Sequence, residues 1–175
     1  MDVDVNLKRT NPKLLLVIDE SSASKRAVAY VARMVGGRKG FRLCLAHVLP
    51  PLPSGLLEFR GAENPDEEKR LDAELKIKQR RFLALAREAA EEVLAGAFTT
   101  LRKAGVPRSM IETRFFASPN GNGAAGHILE MARAGRYHTV IVGRESVSWF
   151  RELVHGDIAE ELVRHGRGLT IWVIE

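Results

Sequence analysis

The chain has 175 residues, 45% of them hydrophobic and 28% charged, with a formal net charge of +5. That is one domain's length, long enough to bury a core. No apolar run approaches the roughly 20 residues that span a bilayer. Residues 1–12 carry no apolar stretch of the secretory type, so neither a membrane-spanning nor a secreted protein is expected. The lone Cys44 excludes an internal disulfide or a cysteine-based zinc cluster and fits a cytoplasmic protein. The arginines are scattered, which reads as a solvated surface; nucleic acid is not an expected partner.

In chain order, residues 1–12 read as a flexible lead-in closed by Asn11-Pro12, and residues 13–175 as one domain. Lys13 to Asp19, KLLLVID, is a central parallel strand, apolar enough to be buried on both faces. Ser21, Ser22 and Ser24 offer caps for a helix over Ala23 to Val35. Gly36, Gly37 and Gly40 break it, and Phe41 to Val48 is the second strand. Prolines and glycines make 50–66 an irregular connection. A helical pattern then runs from Asp66 to Ala104, with Phe82, Ala86, Ala89, Val93, Ala97 and Leu101 as its apolar stripe. Such a helix, roughly 45 Å over about 30 residues, outreaches a domain of this size, so its charged first turns are expected in solvent or against a partner.

Met110 to Phe116 is the third strand, Ala124 to Ala134 a helix, and Thr139 to Val142 the fourth strand. Ile158 to His165 is the last helix and Leu169 to Ile174 the last strand. Strands alternating with helices predict an α/β fold, a doubly wound five-stranded parallel sheet of order 3-2-1-4-5 with helices on both faces. The fourth strand stops at Gly143, and a helical pattern restarts after His155-Gly156-Asp157. Glycine lets a ligand approach the backbone, and a helix start offers N–H groups to negative charge.

Four motifs in order resemble the universal stress protein family over nearly the whole chain. They are Val17-Ile18-Asp19 with its serine-rich helix start, Ala46-His47-Val48-Leu49-Pro50, Leu101 to Val106, and Val140-Ile141-Val142-Gly143-Arg144 with Gly156 beyond. The resemblance implies a stress-response module that binds or regulates rather than turns over a substrate. It also implies an adenine-nucleotide site with Asp19 at the ribose and Val48 at the adenine, its candidate set completed by Ser21, Val142, Gly143, Arg144, Ser146, Gly156 and Asp157.

The family's ATP pattern is glycine, two residues, glycine, nine residues, glycine, then serine or threonine. Gly143 and Gly156 keep the spacing, whereas Ser146 replaces the middle glycine and Asp157 the terminal hydroxyl. A carboxylate about 4 Å from a phosphate costs about 1 kcal/mol in water and about 4 near a protein surface. As a helix cap the same aspartate is favourable by about 1 kcal/mol. Weakened or lost ATP binding is therefore expected, with AMP or adenosine as the smaller ligands and Mg²⁺ only alongside a nucleotide. Arg144, Arg151 and His155 are the groups that can offset the Asp157 carboxylate. The alternatives are a functional ATP-binding member, slowly hydrolysing or not, with Ser146 and the arginines compensating, and a pure interaction module with a vestigial pocket.

Two other features have plainer readings. Gly121 to Gly126 matches G-x-G-x-x-G, but on an edge strand and four residues late, so it reads as a loop. The histidines never fall at metal-ligand spacing; His47 and His138 read as packing or capping residues, and His155 as the one lining the pocket. The last strand, Leu169, Thr170, Ile171, Trp172 and Val173, is apolar on both faces and unguarded by lysine or proline, a template for pairing with another chain. The resemblance implies a homodimer joined there; an unknown protein partner is the other use of such a surface.

Overall fold

The computed structural model describes residues 11–57, 64–117, 123–144 and 158–175. The strands are β1 (Lys13–Val17), β2 (Arg42–Leu49), β3 (Ile111–Ala117), β4 (Thr139–Gly143) and β5 (Thr170–Ile174). The helices are α1 (Ser22–Val35), α2 (Pro65–Lys103), α3 (Ala124–Ala134) and α4 (Ile158–His165). All five strands lie in one sheet of order β3-β2-β1-β4-β5, every pair parallel. This is the doubly wound order expected from the sequence.

Alternation along each strand divides the core in two. Leu15, Val17, Cys44, Ala46, Val48, Val140 and Val142 face α3 and α4. Leu14, Leu16, Ile18, Leu43, Leu45 and Ile141 face α1 and α2. A central strand with helices on both sides must be apolar at every position, which is why β1 and β4 read as unbroken apolar runs. His138 and Lys13 tie the amino ends of β1 and β4 together: the Lys13 N–H donates to His138 Nδ1 at 3.0 Å and the His138 N–H to the Lys13 carbonyl at 2.8 Å. His138 is thus a capping residue, as expected.

Cys44 is buried, and its thiol is pushed above its ordinary value by that burial, against a hydrogen bond with Tyr137 that pulls it down. Trp172 on β5 meets Tyr30 of α1 edge to face, ring centres 6.3 Å apart.

Two details differ from the sequence expectation. α2 runs Pro65–Lys103, within one residue of the expected bounds, and its 39 residues make it about 58 Å long, beyond the roughly 45 Å expected. Its N-terminus is set by Asn64, whose side chain accepts from the Asp66 N–H at 3.0 Å, with Pro65 in the first turn. Its buried positions are Ala90, Leu94, Ala97 and Leu101; Ala89 is exposed and Val93 only half-buried. The stripe therefore runs one residue later than predicted through its middle. The irregular connection also contains a 3₁₀ turn at Ser54–Leu56, whose Leu56 carbonyl accepts from Gln79 Nε2 at 2.7 Å.

Candidate functional site

The carboxyl ends of β1 and β4 are adjacent, and the first turn of α1 closes over them. Asp19, 3% exposed, follows β1. Its Oδ1 accepts from the Ser21 N–H at 3.0 Å and from the Ser21 hydroxyl at 2.5 Å. The Asp19 N–H donates to Ser24 Oγ at 2.9 Å, and the Ser24 N–H donates to Ser21 Oγ at 3.0 Å. Ser21 is the N-cap of α1, so one serine caps the helix while it holds the buried carboxylate in place. Of the three candidate serines, Ser21 is the cap and the buried Ser24 completes the ring.

Gly143 ends β4 against the same turn. A Cβ on Gly143 would lie 2.5 Å from the Ala23 carbonyl carbon and 2.6 Å from its oxygen. The chain of α1 thus passes closer to Gly143 than any side chain allows, beside Ser21 and Asp19. Val142, fully buried, and Val48, 3% exposed, lie on the α3–α4 side of the sheet. Arg144 turns toward the end of the chain: its N–H donates to the Ile174 carbonyl at 2.8 Å, and its Nε lies 2.6 Å from Glu175 Oε1. Ser146, Arg151, His155, Gly156 and Asp157 lie outside the described residues, as do Gly121 and Asn122.

What the sequence reading missed at His47 is its nearness to Asp19. The histidine is 6% exposed at the carboxyl end of β2, on the α1–α2 face, where the Ile18 N–H donates to the neighbouring Ala46 carbonyl at 2.9 Å. Its Nδ1 has no partner among the described residues. Burial holds the imidazole below its ordinary value, against the Glu20 and Asp19 carboxylates and a hydrogen bond with the Ile18 backbone, which act the other way. Its burial agrees with the packing role read from the sequence, whereas its proximity to Asp19 is a product of register.

A cavity of about 420 Å³ opens between α1 and α2, on the opposite side of β1 from the Val48–Val142 face. Ile18, Asp19, Lys25, Val28, Val93 and Gly96 are among its lining residues. Asp19 therefore borders open space on the α1–α2 side. Among the described residues no group of three or more His, Cys, Asp or Glu could hold a metal ion.

The model of the universal stress protein family matches residues 10–114. The chain belongs to that family. The match ends before β4 and the glycines that follow it. Similar solved structures include a universal stress protein in complex with cAMP, 14% identical with a TM-score of 0.59, covering 95% of this chain and 98% of that one. Another is a universal stress protein family member from Burkholderia pseudomallei, 17% identical with a TM-score of 0.57, covering 95% and 97%. A third is the Archaeoglobus fulgidus universal stress protein in complex with dAMP, 17% identical with a TM-score of 0.51, covering 94% and 97%. No curated protein sequence matches. At these identities the structural likeness establishes the fold, and the family match places the chain in the universal stress proteins.

Proposed function

We propose that this universal stress protein is a cytoplasmic binding and regulatory module whose pocket takes the adenosine end of a nucleotide and disfavours a triphosphate. The observation that carries this reading is the buried Asp19 carboxylate, held by the Ser21 N–H and hydroxyl just past the carboxyl end of β1, next to β4. In an open parallel sheet the crevice between strands that diverge in order is where ligands bind, and here that crevice lies between β1 and β4. Asp19 Oδ1 is held by Ser21, and the carboxylate borders the cavity between α1 and α2, where a ribose hydroxyl is the expected partner.

The phosphate end departs from the family. Ser146 adds a side chain where a backbone must approach phosphate, and Asp157 puts a carboxylate in place of a donor. Two of the similar structures were solved with cAMP and dAMP, each carrying a single phosphate, which favours a monophosphate over a triphosphate here. The reading predicts binding without appreciable turnover, with Mg²⁺ entering only alongside a nucleotide. Calorimetric titration with adenosine, AMP and ATP tests it: adenosine and AMP should saturate, and failure of all three to bind would leave only an interaction module.

The same reading includes a homodimer through β5. Thr170 donates its N–H to the His138 carbonyl, and the Ile174 carbonyl accepts from Arg144. The alternate residues Ile171 and Val173 then aim their peptide groups at the open edge. All of Ile171, Trp172, Val173 and Ile174 are only half-buried, as suits a strand awaiting a partner.

A further inference from the structure

The surface with no use in the nucleotide reading is the first half of α2. Its buried residues begin at Ala90, yet the helix starts at Pro65. Between those two residues its anchors to the domain include the Gln79 bond to Leu56 and Arg87 stacked over Phe115, 4.8 Å from the ring centre. A helix draws most of its stability from tertiary packing of an apolar face. This one carries apolar groups on the face turned away from the domain. Ile77 is 64% exposed and Leu85 58%. Ile77 lies about 200° around the helix from Gln79, and Ala73, Ile77, Ala84 and Leu85 fall within about 120° of arc.

The charges on this overhang are segregated. Residues 66–74 hold Asp66, Glu67, Glu68, Asp72 and Glu74 against Lys69 and Arg70, a net charge of −3. Residues 75–87 hold Lys76, Lys78, Arg80, Arg81 and Arg87 and no carboxylate, a net charge of +5. Part of the acidic block is answered within the helix, by Arg70 near Glu67 and Glu74 and by Lys76 on Asp72 at 2.7 Å. No ion pair to Lys78, Arg80 or Arg81 occurs among the described residues.

We infer that this overhang pairs antiparallel with the same helix of a second copy of the chain. An antiparallel arrangement about Ile77 sets residues 66–74 of one helix, net −3, opposite 80–88 of the other, where Arg80, Arg81 and Arg87 against Glu88 leave net +2. Lys76 and Lys78, which face each other beside the axis, are like charges in this register. Ile77 then meets Ile77 at the two-fold axis, and the flanking alanines let the helices approach closely. A parallel pair would stack like charges along its length. The interface is separate from the β5 edge, so a protein using both assembles beyond a dimer.

The test uses the full chain carrying Val173→Pro, which blocks the β5 edge, and reads mass by sedimentation equilibrium at low and high salt. The expected result is a residual dimer that weakens as salt rises. Reversal of one block, Glu67→Lys, Glu68→Lys and Glu74→Lys together, should raise its dissociation constant at least about tenfold. Adding Lys78→Glu, Arg80→Glu and Arg81→Glu should restore it, because the two blocks are again complementary in a homodimer. A monomeric Val173→Pro chain, or a dimer indifferent to block reversal, would overturn the pairing. Should Val173→Pro fail to fold, Ile77→Cys in the otherwise unchanged chain gives a second reading. Oxidation should yield a dimer cross-linked through the introduced thiols, Cys44 being buried, and no cross-link would overturn the proposal.

Discussion

Gly143 and Ala23 are in backbone contact: a Cβ on the glycine would fall 2.5 Å from the Ala23 carbonyl carbon and 2.9 Å from its Cβ. The atoms in the way belong to the main chain of α1, which cannot yield as the end of a flexible side chain can. A glycine at this place is therefore required by the fold whether or not a ligand approaches it. Gly143→Ala should destabilise the protein by about 1–3 kcal/mol through overpacking, read from denaturant unfolding at constant m-value. A change under about 0.5 kcal/mol, the ordinary size for an unconstrained site, would mean that α1 is free to shift.

Gly96 is the opposite case. It sits inside α2, and a Cβ there would meet nothing within 4 Å. Glycine in a helix interior is about 0.8–1 kcal/mol less favourable than alanine. Gly96→Ala should raise stability by about that amount, measured by the same unfolding curves. Because Gly96 also lines the cavity between α1 and α2, a larger residue such as leucine would narrow that space from the helix side.

His47 gives the protein a pH dependence with a definite sign. Burial lowers its value in the folded chain below the ordinary 6.5. As pH falls below about 6.5, the unfolded chain takes up the proton first, so stability is lost on acidification through that window and is complete above it. For one proton the slope reaches at most about 1.4 kcal/mol per pH unit. His47→Leu should flatten this part of the stability profile while carboxylate titration at lower pH persists. An unchanged slope between about pH 7 and 5 would assign it to another group.

Val173 tests the β5 edge. Its N–H points away from β4, so Val173→Pro removes an outward donor and leaves the bonds of Thr170 and Ile174 to their neighbours intact. Far-ultraviolet circular dichroism should be unchanged while strand-edge association is lost. A mass unaffected by the substitution would place the dimer contact elsewhere.

The sheet order was legible because β1 and β4 are continuous apolar runs and each crossover helix carries its own period. The cap of α1 was half legible: Ser21, Ser22 and Ser24 each offered one, and the structure selects Ser21 and sets its hydroxyl on Asp19. The burial register of α2 was not, since the stretch around Ala89-Ala90 and Val93-Leu94 offers equally apolar neighbours, and only packing against β2 and α1 selects the second of each pair. The role of Gly143 was half legible. A glycine at a strand end announces a close approach, but only the tertiary structure identifies the approaching group as Ala23. The surroundings of His47 were not legible at all, because its nearness to Asp19 depends on the pairing of β1 with β2.

In the proposed function the crevice beside Gly143 accepts adenosine and one phosphate, and Asp157 opposes more. Calorimetric titration of the native chain and of Asp157→Ser with AMP and with ATP tests this most directly. The predicted result is saturable AMP binding, ATP binding at least about 5-fold weaker, and a gap that closes in Asp157→Ser, as removal of about 1 kcal/mol or more of repulsion requires. ATP held as tightly as AMP by the native chain, or an ATP affinity unmoved by Asp157→Ser, would contradict it.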